Sequence, residues 1–368
     1  MRYRRKVFSK KPYDKSGPEF IKAVAELTRY HIKNNKKYKE ILDSRGFSAD
    51  MLQTEEDLVK LPFIPTAVYK RNRFFTKNAS VKVTTSGTSG GAGEIAFDIS
   101  ALFCALKMSL KTFAFKRLFS PRLTNYIIFG YKPDKKNKTG VSKTAFGATL
   151  FAPALHRTYA LERGADGKYS ADLSKVCDKI VEYSKSKHPV RFMGFPSYTY
   201  FALKLLQEKG VTVKLPQDSK IMLAGGWKQY YKEQVDKEEF YDTARRVLGI
   251  GDKDIIEFFG AVEHPIIYCD CENHHFHVPS YSRVIIRDVI TLEPLPYGQT
   301  GLVELITPMV KATPITAAMT DDLGILHPGS ECGCGIDSPY LEIVGRVGLK
   351  DVKTCAAGAA ELLGDLKL

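Results

Sequence analysis

Four short apolar segments between residues 124 and 260 constrain the fold more than anything else in the chain. They read TNYIIFG (124–130), VRFMGFP (190–196), KIMLAGG (220–226) and DIIEFFG (254–260). The intervals at 173–187, 198–210 and 229–248 carry apolar residues at helical spacing. Strands that alternate with helices of this length predict an α/β sheet whose strands are joined by crossover helices. In such sheets ligands sit beyond the carboxyl ends of the strands. Three of these segments reach glycines there, at Gly194, Gly226 and Gly260. A chain of 368 residues, 44% hydrophobic and 26% charged, is an ordinary globular one with room for one large domain or two.

Ahead of this region, helices are expected over 18–35 and 38–42, with an acidic helix start at Thr54–Leu58 and an extended segment at LPFIPT (61–66). A long helix is expected over 100–119, and a lysine-rich loop at 132–143. From about 267 the pattern turns to short strands (YCDC, HFHVP, SRVIIRDV, GQTGLVELIT, YLEIVGR), which reads as a smaller all-β subdomain. The expected division is therefore an α/β core over 1–266, a β subdomain over 267–346 and a tail over 347–368. No run of 18 apolar residues occurs, so no membrane span is expected. The basic start MRYRRKVFSKKPYDK is not followed by an apolar stretch and does not read as a signal peptide. The net charge of +14 suits a nucleic-acid partner, an anionic membrane surface or a site for polyanionic nucleotides. Because the positives are spread along the chain, with no aromatic–basic repeat, a solvated basic face is the expectation and a nucleic-acid partner is not.

The stretch VTTSGTSGGAGEIAF (83–97) places Thr85, Ser86, Gly87, Thr88, Ser89 and Gly90 between two short apolar runs. Glycines allow close approach of the backbone, and hydroxyls add donors, so the loop can turn several N–H groups toward one anion. Phosphate is the usual guest; a flexible surface hairpin is the alternative. The spacing matches neither GxxxxGK[ST] nor GxGxxG. Seven cysteines in a chain this long do not form a secreted disulfide scaffold. Four of them stand in two C-x-C pairs, Cys269/Cys271 and Cys332/Cys334, and His274, His275 and His277 follow the first pair. Thiolates and imidazoles are the ligands of tetrahedral zinc, and halves so far apart in sequence would be stapled together by it. A reducing, cytoplasmic home follows; reduced buried cysteines are the alternative.

TSGTSG resembles the phosphate loop of the adenylate-forming superfamily, although Ala92, Gly93 and Glu94 stand where members usually have a lysine. FFGAVEH (258–264), MTDDLG (319–324) and Gly345-Arg346 resemble further motifs of that superfamily in the same order. The resemblance implies that Phe259 and Gly260 line an adenine and that Glu263 reaches magnesium. It also implies that Asp322, in a turn where Asp321 replaces a glycine, accepts from ribose hydroxyls, and that Arg346 pairs with nucleotide charge. DLVKLPFIPTAVYK, GFPSY, GGWK, CENHHFHVP and ECGCG narrow the resemblance to the LuxE-type acyl-protein synthetases over nearly the whole chain. The fold it implies is the large N-terminal domain of the adenylate-forming enzymes plus a small zinc-stapled β subdomain. By analogy with zinc-bearing relatives such as the phenylacetate-CoA ligase group, the ligands would be Cys271, His277, Cys332 and Cys334, with Cys269 and His275 in reserve.

Lys228, beside two glycines at a strand end, is the candidate to hold substrate carboxylate or phosphate in place of the missing loop lysine. The chain ends 22 residues after Arg346 without the superfamily's mobile domain, and LuxE-type enzymes carry their acyl group on a cysteine near the C-terminus. Cys355 occupies that place. Thr354 would cap a short helix there, and Lys350 and Lys353 would favour the thiolate. The resemblance thus implies ATP- and magnesium-dependent activation of a long-chain fatty acid, transfer to Cys355 and delivery to an acyl-reductase partner; a homo-oligomer is compatible with it. Transfer to CoA or a carrier protein is the second reading, and a zinc-stapled nucleic-acid binder the third.

Overall fold

A computed structural model describes residues 1–76, 80–84, 93–132, 149–163, 169–227, 230 and 233–346. The chain is mixed α/β and divides into two compact units, Met1–Thr112 with Gly260–Leu368, and Phe113–Phe259.

In the second unit the expected alternation forms a parallel sheet. The Thr124–Tyr131 strand pairs in parallel with Ala154–Arg163 on one side and Val190–Gly194 on the other. Lys220–Ala224 and Ile255–Ala261 continue the parallel order beyond Val190–Gly194. Tyr169–Ala171 adds an antiparallel edge next to Ala154–Arg163. Successive connections therefore leave the Thr124–Tyr131 strand in opposite directions, the topological switch at which α/β sheets bind ligands. Helices Leu173–Ser184, Pro196–Glu208 and Lys237–Leu248 supply Val176, Ile180, Leu203 and Val247 to a core with Ile127, Phe129, Phe192 and Ile221. The last of these helices starts at Lys237, not at Gln229 as the apolar spacing suggests. Asp236 sets the start by accepting the backbone N–H of Glu239 at 2.8 Å, and Gly249 closes the helix with φ of 70°.

The first unit holds the helical flank and the β-rich part. Glu19–Asn34 buries Phe20, Ile21, Val24, Leu27 and His31 along one face. His31 is neutral: burial pushes its pKa down to about 3, and its ring nitrogens meet Thr76 Oγ1 at 3.0 Å and the Val310 carbonyl at 3.1 Å. The strands Phe276–His277, Tyr340–Arg346, Ala317–His327, Thr300–Ile306 and Arg283–Arg287 lie in that order, antiparallel throughout. Ile64–Pro65, from the LPFIPT segment, pairs in parallel with Ala318 and Met319. Inside this sheet Arg287 donates to Glu304 at 2.5 Å. The segment MTDDLG is not a turn; it lies within the longest strand of the unit, Ala317–His327. Its polar residues are tolerated there because the pairing shifts register between Leu323 and Gly324, near the end that pairs with Arg346.

Candidate active site and metal cluster

Two groups of chemistry-bearing side chains assemble in the first unit. The first forms around Glu263, in the turn after the Ile255–Ala261 strand. Its carboxylate is 6% exposed, and burial raises its pKa. Its own backbone N–H, Lys70 and Arg346 act against that rise, while Asp321 adds to it. Asp322 stands directly across from Arg346 in the antiparallel register, and Arg346 Nε lies 3.8 Å from Asp322 Oδ1. The second Arg346 contact runs from Nη2 to Asp321 Oδ2, at 3.5 Å. Lys70 Nζ approaches the same Asp321 oxygen at 3.5 Å with its side chain only 10% exposed. Neighbouring strand residues point to opposite faces of a flat sheet, and the register shift after Leu323 accompanies the departure that lets Arg346 reach both carboxylates.

Lys70 belongs to the short helix Thr66–Arg71, which follows the Ile64–Pro65 strand. Gly93, just after the Ser/Thr/Gly-rich loop, packs on this helix. A Cβ there would stand 2.8 Å from the Tyr69 carbonyl and 2.9 Å from Lys70 Cα, so only glycine fits. The foot of the loop is thereby held against the helix that carries Lys70. The structure brings Glu263, Asp322 and Arg346 together, and adds Lys70 and Asp321. Neither of these two was among the expected site residues. One signal bears on both: a loop lacking its lysine, together with an extra acid at 321, calls for a cation from elsewhere. The exposed Gly260 opens the return from the strand, where a Cβ would lie 3.0 Å from the Ile266 carbonyl. Phe259, in the second unit, is half-buried on its strand. Thr85, Ser86, Gly87, Thr88, Ser89, Gly90, Lys228 and Cys355 lie outside the described residues.

The second group is sulfur-rich. One ligand atom from each of Cys271, His277, Cys332 and Cys334 lies within 4.8 Å of all the others, an arrangement able to hold a metal ion. Cys271 Sγ and Cys332 Sγ are 3.5 Å apart, and Cys334 Sγ is 3.2 Å from His277 Nε2. The other ring nitrogen, His277 Nδ1, donates to the Ser338 carbonyl at 2.6 Å, which leaves Nε2 free to ligate. Gly333 and Gly335, with φ of 76° and 82°, bend the C-G-C-G turn so that both thiols face inward. Burial raises the Cys332 and Cys334 thiols. Burial also acts upward on Cys271, but hydrogen bonds from His277 and from the Asn273 and His275 backbone outweigh it and bring it down to about 6. His275 sits beside the cluster, Nδ1 3.1 Å from Cys332 Sγ, with its ring stacked on Tyr340. Cys269 Sγ is directed instead at Asp270, 3.9 Å away. The cluster joins the segment at 271–277 to the one at 332–340, and Tyr13 closes over it through a bond to the Cys269 carbonyl at 3.0 Å.

Comparison with known proteins adds to this geometry. A family described as "Acyl-protein synthetase, LuxE" matches residues 5–363. A long-chain-fatty-acid–luciferin-component ligase of Vibrio harveyi is 24% identical over 355 residues, spanning 90% of this chain and 85% of the relative. Its namesake from Aliivibrio fischeri is 25% identical over 367 residues, spanning 93% and 88%. Among solved structures, 2-hydroxyisobutyryl-CoA ligase in an open conformation superposes with a TM-score of 0.63 at 14% identity, covering 90% of this chain and 75% of that one. The same ligase in its postadenylation state gives 0.65 at 13% identity, covering 94% and 72%. At that identity the likeness is one of fold, the fold of an adenylate-forming ligase. With a family match that runs from residue 5 to residue 363, this chain belongs to the LuxE acyl-protein synthetase family.

Proposed function

We propose that the chain uses ATP to convert a long-chain fatty acid into its acyl-adenylate and then takes the acyl group onto Cys355. The observation that carries this reading is the convergence of Glu263, Asp322, Arg346 and Lys70 beside the foot of the Ser/Thr/Gly-rich loop. Family membership supports the substrate class, through relatives named for long-chain fatty acids.

In the first step a carboxylate oxygen attacks the α-phosphorus of ATP, the bond to the β-phosphate oxygen breaks and pyrophosphate leaves. Backbone N–H and hydroxyl groups of Thr85–Gly90 would hold the phosphates, and Lys228 the incoming carboxylate. Phe259 and Gly260 would line the adenine and Asp322 would accept from the ribose hydroxyls. Arg346 and Lys70 would balance charge on the phosphates and on Asp321. Magnesium, which Glu263 would hold, neutralises charge on the triphosphate oxygens when bound. In the second step the Cys355 thiolate attacks the acyl carbonyl carbon, the C–S bond forms, the bond to the AMP oxygen breaks and AMP is released. An acyl-reductase partner would then consume the thioester. Cys271, His277, Cys332 and Cys334 would hold zinc in a closed, structural site, since three thiolates and one imidazole leave no open position. Such a site, with six reduced cysteines among the described residues, fits a reducing cytoplasm.

Labelled fatty acid and ATP given to Cys355→Ser test both steps together. The expected result is acyl-adenylate formation without labelled protein. Full labelling of the variant would overturn the role of Cys355, and absence of acyl-adenylate would overturn the first step. Free CoA that accelerates AMP release from the unmodified chain without labelling it would favour CoA as acceptor.

A further inference from the structure

The helix Ile99–Phe115 presents two opposite apolar faces. Ala101, Met108 and Thr112 are buried on one. On the other, Ile99, Leu102, Phe103, Leu106 and Leu110 are 60%, 39%, 61%, 52% and 40% exposed. At 3.6 residues per turn these five side chains fall within an arc of about 100°, a continuous ridge and not a scatter of single exposed residues. The helix's own charges are all positive, with Asp14 acting on Lys111 and Glu26 accepting the backbone N–H of Arg2 at 3.3 Å as the acids nearby. The helix contains Lys107 and Lys111 and no acid. Asp98, just before it, is buried with its carboxylate accepting the backbone N–H groups of Ala101 at 3.0 Å and Lys311 at 2.7 Å.

The short helix Arg2–Val7 lies alongside and adds Arg2, Arg5 and Lys6, all exposed. It is fixed there by Arg4, which donates to Ser100 Oγ at 2.6 Å. Lys111 completes the attachment, donating to the carbonyls of Ser9 at 2.6 Å and Lys10 at 2.8 Å.

From this juxtaposition of an exposed Leu/Phe ridge and exposed cations we infer that the face docks on an anionic lipid surface. The ridge enters the headgroup boundary and the cations meet lipid phosphates. The charge decides the occupant. A second copy of this chain, itself at +14, would bring like charges together across the face, whereas an anionic bilayer complements them. The inference stands apart from the adenylation reading, because it needs neither Glu263 nor Cys355.

The test is flotation of the full chain with vesicles of phosphatidylcholine alone or of phosphatidylcholine with phosphatidylglycerol. Binding only to the anionic vesicles is expected, weakened by added salt and by Lys107→Glu. In Phe103→Ala/Leu106→Ala it should fall roughly tenfold or more, with thermal unfolding unchanged. No binding to the anionic vesicles, or undiminished binding of the double variant, would overturn the inference. So would ultracentrifugation showing an oligomer of the unmodified chain that the double variant dissociates, since a second copy would then cover the ridge.

Discussion

Glu263 is a carboxylate placed where burial disfavours its charge and two cations partly restore it. A site of this kind gains most from a hard cation, so Glu263→Gln should lower acyl-adenylate formation by about 10²–10³-fold with the fold intact, as read by initial rates and far-UV circular dichroism. Lys70 performs a different task. It lies 3.5 Å from Asp321, and without it that acid and Glu263 would, among the described residues, have Arg346 alone to offset them against incoming phosphates. Lys70→Ala should therefore raise the KM for ATP about tenfold or more and leave the fatty-acid KM nearly unchanged, measured by varying each substrate in turn. Glu263, Asp322 and Arg346 could be singled out from short motifs because each chemistry needs a particular residue type at a particular place. Lys70 was not: DLVKLPFIPTAVYK, which ends on it, carries family resemblance but no residue role, and the approach of Gly93 to its backbone is what ties it to the Ser/Thr/Gly-rich loop.

Elements were legible where one period dominated. The amphipathic helix at Glu19–Asn34 and the apolar strands Thr124–Tyr131, Val190–Gly194 and Lys220–Ala224 carry single, clean patterns. The Ala154–Arg163 strand escaped because ALHRTYALER mixes charged and apolar residues without strict alternation. Ala317–His327 was obscured by two adjacent aspartates, which read as a turn until register and neighbouring strands supply their surroundings. The C-x-C pairs were readable as an ensemble. Which histidine turns inward is decided by the Ser338 carbonyl that receives His277 Nδ1–H, a contact no spacing reveals. If the cluster staples its two segments through zinc, purified protein contains equimolar zinc, and Cys332→Ser loses the metal together with several kcal/mol of stability. Elemental analysis and urea unfolding check both outcomes. Stoichiometric protein without metal, equally stable in the variant, would contradict the staple.

For the whole molecule, acid stability follows from two buried neutral histidines. His31 and His264 are both lowered by burial to about 3, far below the ordinary 6.5. Between those values the unfolded chain binds protons that the folded chain refuses, so stability rises with pH across that window and is lost as pH falls below about 6.5. The two together contribute a slope of up to about 2.7 kcal/mol per pH unit, opposed by Glu304, whose pKa burial raises to about 7 and which alone would lower stability as pH rises toward that value. Urea unfolding of the unmodified chain and of His264→Asn between pH 7.5 and 5 should show it as a slope lower in the variant by up to about 1.4 kcal/mol per pH unit. The α/β plan was visible because parallel strands require crossovers, but the side of the Thr124–Tyr131 strand on which each neighbour lies is a property of packing that no local pattern contains.

ATP–pyrophosphate exchange by the full chain across a series of carboxylic acids tests most directly whether the Glu263–Asp322–Arg346 group serves adenylation. The predicted result is exchange that depends on a long-chain fatty acid and collapses in Glu263→Gln. Exchange with no acid in the series, or exchange undiminished in that variant, would contradict it.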